Sequence, residues 1–241
     1  MIKVAKMPTD VPIGLAYLDN LHNASAMTQR VTGLQSRKQI DDLRMIGTSL
    51  SAFYQAATCH RKCHGGAHIL ESLTARVYNL THAAFNLIVA GFYDESFLLM
   101  RSISEIYNLM AFSVVDKNAL RDWLYSDKKT RLMKYSPVKV RQLLEKSGEW
   151  PVYIEHEWYS KICEKYTHIT PSTRPNMHNE IGLATVGGVF QQQGMENALD
   201  ELATLAGMTA MIICQYFNFD DLFAEIDSHL NEIAHRGAGE T

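Results

Sequence analysis

The sequence predicts an all-α protein: a single up-down bundle of about seven or eight helices around one large core. Three observations lead there. Apolar residues recur at spacings of three and four along most of the chain, the 241 residues include only six prolines, and no apolar–polar alternation runs beyond a few positions. The first marks one-sided helices, the second removes the strongest helix breaker, and the third leaves no half-buried strand. With 46% apolar and 20% charged residues, the composition is that of a globular chain, long enough to bury a core without covalent staples.

Residues 1–35 read as an N-terminal extension with a helix through Leu15, Leu18 and Leu21, residues 36–235 as the bundle domain, and residues 236–241 as a frayed tail. Ser36 opens a long helix in which Ile40, Leu43, Ile46, Leu50, Phe53 and Ala57 share a face, and Gly65-Gly66 breaks it. Leu70, Leu73, Val77, Leu80, Ala84 and Leu87 keep a three-four rhythm until Gly91, a helix-ending glycine. Asp94 is placed to cap the next helix, which reaches about Val115 and is apolar nearly all round, as suits the centre of a bundle. The short turn between these two predicts an antiparallel hairpin. One further unit covers residues 118–135, and Ser136-Pro137 then gives a cap and first turn. A helix over 152–167 carries Tyr159, Ile162, Cys163 and Tyr166. Residues 170–194, with their prolines and glycines, read as a long loop, and helices over about 196–217 and 220–234 close the chain.

The net charge is −3, so bulk charge does not mark a polyanion binder. Between Lys117 and Lys146, however, nine Lys/Arg stand against three Asp/Glu, a local +6 that leaves −9 elsewhere. Such a segment is either a solvated helical surface or a phosphate-binding face. The longest apolar run, Met208 to Cys214, is far short of the roughly 20 residues that span a bilayer. The N-terminus has no apolar leader region. No membrane association and a cytoplasmic location are therefore expected, with the four cysteines as free thiols of a reducing compartment.

Arg101 and Glu105 are the first candidate site residues, one turn apart on the otherwise apolar helix, with Asn108 extending their row. Burying charge is costly unless it is paired, and Arg before Glu is the weaker polarity for helix stabilisation. The pair is either a buried structural ion pair or an anion contact in which Glu105 orients Arg101. His168 follows Tyr166 at a helix end, where it either complements the helix dipole or titrates near neutrality. Cys59 and Cys63 share a helical face, and His64 or His68 could complete a tetrahedral zinc set. The spacing matches none of the usual paired-cysteine sites, so no metal ligand and no cofactor is assigned and the zinc question stays open. Phosphate-binding glycine loops and nucleophile-elbow or zinc-protease motifs are absent from the sequence.

The stretch from His68 to His168 resembles a family of uncharacterised bacterial helical proteins. The resemblance lies in the Arg-bearing helix around Ala75-Arg76, Gly91 with its short turn, the Arg101/Glu105 row in LLMRSISEIYNL, and the Tyr166-x-His168 step. That outline is similar in turn to the HEPN superfamily, compact and often dimeric helical bundles. Many of these are metal-independent ribonucleases of toxin–antitoxin or anti-phage systems, in which an R-x(4–6)-H motif holds the scissile phosphate and moves protons. The resemblance implies an RNA-binding or ribonuclease effector, with RNA or another phosphate-bearing ligand and a homo-oligomeric state. Arg101, Glu105 and His168 are then the expected catalytic group, with Arg76, Tyr166 and Asn108 as ligand contacts. The alternative is a non-enzymatic interaction module, antitoxin-like or a sensor, acting through a protein partner. Two R-x(4–6)-H matches occur, Arg61 to His68 and Arg76 to His82, against about 1.4 expected by chance. Arg76 is followed by an apolar residue, and six helical positions put it about 120° from His82.

Overall fold

The computed structural model describes residues 14–148, 156–171, 173–176 and 184–238. Among them the chain is all-α, with ten α-helices and no strand. α1 (Leu15–Gln35) passes through a 3-10 turn, Ser36–Lys38, into α2 (Ile40–Ala57). α3 (Ile69–Val89) and α4 (Tyr93–Val115) form the expected antiparallel hairpin across a three-residue turn. The short helices α5 (Ala119–Tyr125), α6 (Lys128–Lys134), α7 (Pro137–Ser147) and α8 (His156–Ile162) follow. α8 runs on as a π-helical turn, Cys163–Thr167, and α9 (Gln192–Phe217) and α10 (Asp220–Ala238) complete the fold.

The differences from the sequence reading have local causes. Ten helices replace the expected seven or eight. The unit over 118–135 is two helices, because the Asp127 carboxylate accepts the Thr130 amide at 2.7 Å and so starts α6 afresh. Ser36 lies in the 3-10 turn rather than opening α2. Asp94 is inside the first turn of α4, where Phe92 holds the cap position, and its carboxylate instead accepts the Asn176 amide at 2.7 Å. α9 starts at Gln192, before the expected 196, and α10 continues beyond 234 to Ala238. Of the tail expected to fray, 239–241 lies outside the described residues, as do 1–13 of the N-terminal extension and 152–155 of the helix read over 152–167.

α9 is the hub. It packs against α2, α3, α4 and α10 and buries Leu202, Leu205, Ala206, Ala210 and Ile213 completely. α2 crosses it closely at Gly207, where a Cβ would sit 2.7 Å from Met45 Sδ. α4 and α9 are long and apolar enough to cross a membrane by length and composition, a criterion that core helices also meet; half and two thirds of their most apolar windows are buried in the bundle. The other flank of α4 meets α7, α8 and the π turn. Residues 188–191 lie against the α3–α4 turn. A Cβ at Gly188 would stand 1.9 Å from the Ala90 carbonyl oxygen, and one at Gly91 (φ +81°) 2.7 Å from Val189 N. Only glycine permits that approach. Tyr93 Oη accepts the Gln191 amide at 3.1 Å and fixes the entry to α9.

Candidate functional site

The second flank of α4 carries the polar cluster. Arg101 Nη2 and Glu105 Oε1 are 3.0 Å apart, with side chains 29% and 30% exposed. They are neither sealed in the core nor free in water. Tyr159 from α8 inserts its hydroxyl between them: it accepts from Arg101 Nε at 3.1 Å and Nη2 at 2.6 Å, and donates to Glu105 Oε1 at 3.0 Å. The hydroxyl's donor and both acceptor positions are therefore filled.

A second guanidinium joins from α7. Arg141 is 6% exposed, and its Cζ lies 5.5 Å from the Tyr159 ring centroid, while that of Arg101 lies at 5.1 Å. One ring thus faces two cations, an attraction that gains strength with desolvation. Arg141 Nε pairs with Glu145 at 3.5 Å but makes no hydrogen bond among the described residues. Asn108 is buried one turn beyond Glu105, and its Oδ1 is likewise without a hydrogen-bond partner.

Burial works to lower the Arg101 pKa, but the Tyr159 hydrogen bond and the Glu105 charge outweigh it and hold it above the ordinary value. Burial raises the Tyr159 phenol; the Arg101 hydrogen bond opposes that rise and the Glu105 charge adds to it. At neutral pH the cluster therefore holds a fixed cation and an uncharged phenol. Arg101 Nη1 makes no bond among the described residues, so one edge of the guanidinium is left for an anion.

The other expected residues are dispersed. His168 is exposed; its backbone N–H closes the π turn on Cys163 O at 2.8 Å, and its imidazole meets no partner among the described residues. Arg76 is exposed on α3, whose buried face runs through Thr74, Val77 and Thr81. Tyr166 stacks on Phe97, ring centroids 4.7 Å apart and 8° from parallel. Burial, with the carboxylates of Asp94 and Glu201, pushes its phenol up to about 12. It lines a cavity of about 330 Å³ with Trp158, Lys161 and Glu201. Of the R-x(4–6)-H pairs, Arg61 is held by Asp221 at 2.8 and 3.1 Å and lies over Phe219, and His82 is exposed.

The basic segment builds a larger feature. α4, α5, α6 and α7 enclose an open cleft of about 700 Å³, with Phe112, Met133 and Leu143 as apolar lining, Lys134, Lys139 and Lys146 beside them, and the carboxylates of Asp116 and Asp122 on its wall. None of the six lysines between 117 and 146 enters an ion pair among the described residues; Lys139 Nζ donates to Gln142 at 3.4 Å.

Tyr159 and Arg141 were missed by sequence reasoning. Arg141 left a trace, a charged residue between Val140 and Leu144 on the apolar stripe of α7. Tyr159 left none, because an aromatic on an amphipathic helix reads as core. Compared with known proteins, the chain matches no family model, no curated sequence and no solved structure.

Proposed function

We propose that the protein binds RNA, with single-stranded segments lying along the α4–α7 cleft. The observation that carries this reading is a groove with apolar walls in which Lys134, Lys139 and Lys146 outnumber the carboxylates of Asp116 and Asp122 and enter no ion pair among the described residues. Lysines without acidic partners are free to replace counterions on phosphates, and that release drives nucleic-acid association. Apolar walls between them, with Tyr135 also lining the cleft, suit unstacked bases. The HEPN resemblance of the sequence favours the same ligand and implies a role in a toxin–antitoxin or anti-phage system. Binding is preferred to cleavage. Proton transfer by His168 requires its imidazole within hydrogen-bond reach of a phosphate held by Arg101, and no described interaction joins the two. Arg101 does not line the cleft and is assigned only a separate anion contact through Nη1, with Tyr159 holding its other edge.

Fluorescence anisotropy with a single-stranded RNA across a salt series tests the reading. Replacing Lys134, Lys139 and Lys146 with alanine is expected to weaken binding and to reduce the slope of log affinity against log salt by about 2, at about 0.7 for each phosphate left unneutralised. Unchanged affinity and slope would remove the cleft from function. RNA degradation in EDTA, with Arg101→Ala and His168→Ala, tests cleavage separately. Activity lost in both variants would restore the ribonuclease reading.

A second reading, self-association as an interaction module, is favoured by α1. Leu15, Leu18, Leu21, Met27 and Leu34 are all exposed on that helix, more apolar surface than a lone peripheral helix normally leaves in water. A second copy of the chain would cover it. Light scattering is expected to report a dimer that Leu18→Glu with Met27→Glu dissociates.

A further inference from the structure

At the turn from α2 to α3, metal-ligating side chains converge. Cys59, Cys63, His68 and Glu71 each offer one donor atom, and all four atoms lie within 4.8 Å of one another. Cys63 Sγ is 3.7 Å from His68 Nδ1, and that nitrogen is 3.8 Å from Glu71 Oε1. A tetrahedral zinc ion with bonds of about 2.0–2.3 Å has ligand–ligand edges of about 3.3–3.8 Å. Two of the pairs already stand at edge length, and the widest needs to close by about 1 Å.

One further observation points to a ligand. The Glu71 side chain is only 4% exposed. Its Oε1 accepts the His64 amide at 2.7 Å, whereas its Oε2 is buried without a hydrogen-bond partner. A bare carboxylate oxygen away from water is expensive unless a cation or donor meets it. The connecting turn also passes through the left-handed region of the backbone map. Cys59 (φ 55°) and His68 (φ 48°) adopt the left-handed conformation, as do Gly65 and Gly66 between them. Residues with a Cβ seldom do so without compensation.

We propose that Cys59, Cys63, His68 and Glu71 bind one divalent thiophilic cation, zinc by the chemistry of the set, and that the ion ties the end of α2 to the first turn of α3. Two thiolates and an imidazole select zinc over magnesium or calcium. On binding, each S–H gives its proton to solvent as a sulfur–metal bond forms, and His68 coordinates as neutral imidazole through Nδ1. Two protons leave and two positive charges arrive, so the net charge of the site is unchanged. Proton competition therefore makes affinity strongly pH-dependent. His64 is not a ligand: its Nε2 bonds the Tyr216 carbonyl at 2.9 Å and its ring stands edge-on to Phe217 at 4.6 Å.

The test uses the full chain, reduced and stripped with chelator, titrated first with cobalt(II) and then with zinc(II). One equivalent of cobalt is expected to give tetrahedral visible bands and a thiolate-to-cobalt charge-transfer band, both bleached by one equivalent of zinc. Affinity should rise by up to about 100-fold per pH unit while both thiols are protonated. Cys63→Ser and His68→Ala, both at exposed positions, should weaken binding by at least about 100-fold with helical circular dichroism retained. His64→Ala should bind as the parent does. Absence of charge transfer in the reduced parent protein, or equal loss in His64→Ala and His68→Ala, would overturn the proposal.

Discussion

The two flanks of α4 solve the same packing problem in opposite ways. Towards α3 and α9 the helix meets an apolar layer in which Val77, Ala84, Leu202 and Ile213 are almost wholly shut from water. Towards α7 and α8 its own Arg101 and Glu105 meet the Tyr159 phenol, whose ring also faces the Arg141 guanidinium. The first arrangement stabilises by removing apolar area from water, about 25 cal/mol per Å². In the second, attraction between charges largely offsets the loss of their hydration, so the net gain is small. Placing both on one helix separates its tasks: one side holds the bundle together, the other presents fixed charge near the surface.

The largest expected effect breaks the apolar layer. Phe53→Ala, at a fully buried position on α2, should cost about 3–5 kcal/mol in urea unfolding. The polar flank should respond less. Tyr159→Phe removes two accepted hydrogen bonds and one donated bond at a half-exposed site, and stability should fall by about 1–2 kcal/mol. Arg101→Leu combined with Glu105→Leu should fall within about 1 kcal/mol of the parent, while Glu105→Leu alone is worse than the double change. If the double variant were as destabilised as Phe53→Ala, the polar flank would be structural glue and the contrast would fail.

Alkaline titration probes the same boundary more gently. The Tyr166 phenol is neutral in the folded protein up to about 12, whereas in the unfolded chain it ionises near the ordinary tyrosine value of about 10. Above pH 10 the folded state therefore binds more protons than the unfolded one, and stability falls with rising pH until about 12. Urea midpoints should begin to decline near pH 9, where burial keeps the Cys214 thiol protonated only in the folded protein, decline further above 10, and decline less steeply in Tyr166→Phe. The smallest effect is expected in the cleft. Alanine at Lys134, Lys139 and Lys146 should leave stability within about 0.5 kcal/mol, so that any weakening of RNA binding is read free of unfolding.

Much of this architecture was legible beforehand, and the reason is periodicity. α3 announced itself through Leu70, Val77, Leu80 and Ala84, all buried, and Gly91 marked its end because the chain there comes too close to Val189 for a side chain. The Ser136-Pro137 start of α7 followed from the fixed φ of proline. Boundaries set by side-chain hydrogen bonds were harder to see. Asp127 and Asp94 are the same residue type, yet one caps a helix and the other holds a loop. At the polar flank, Arg101 and Glu105 stood out because charge is costly among Leu98, Leu99 and Ile103. Their neighbours Tyr159 and Arg141 lie 36 to 58 residues away, and no local pattern signals a pairing across that distance. The Cys59/Cys63 group shows the converse. Its fourth member, Glu71, looks in sequence like an ordinary acidic residue of a helix's first turn, and only burial distinguishes it.

The first turn of α4 acts as a rivet. Asp94 holds the chain at Asn176 and its neighbour Tyr93 holds it again at Gln191, so two points fifteen positions apart are pinned to one helix start. Whatever joins two such anchorage points can lengthen without re-aiming α9, since doubling a closed loop adds only about 0.6 kcal/mol of closure entropy. The entry to α9 is thereby set by the start of α4 and by the packing of Gly188 on Ala90, so the two helices keep their relative aim through one shared corner.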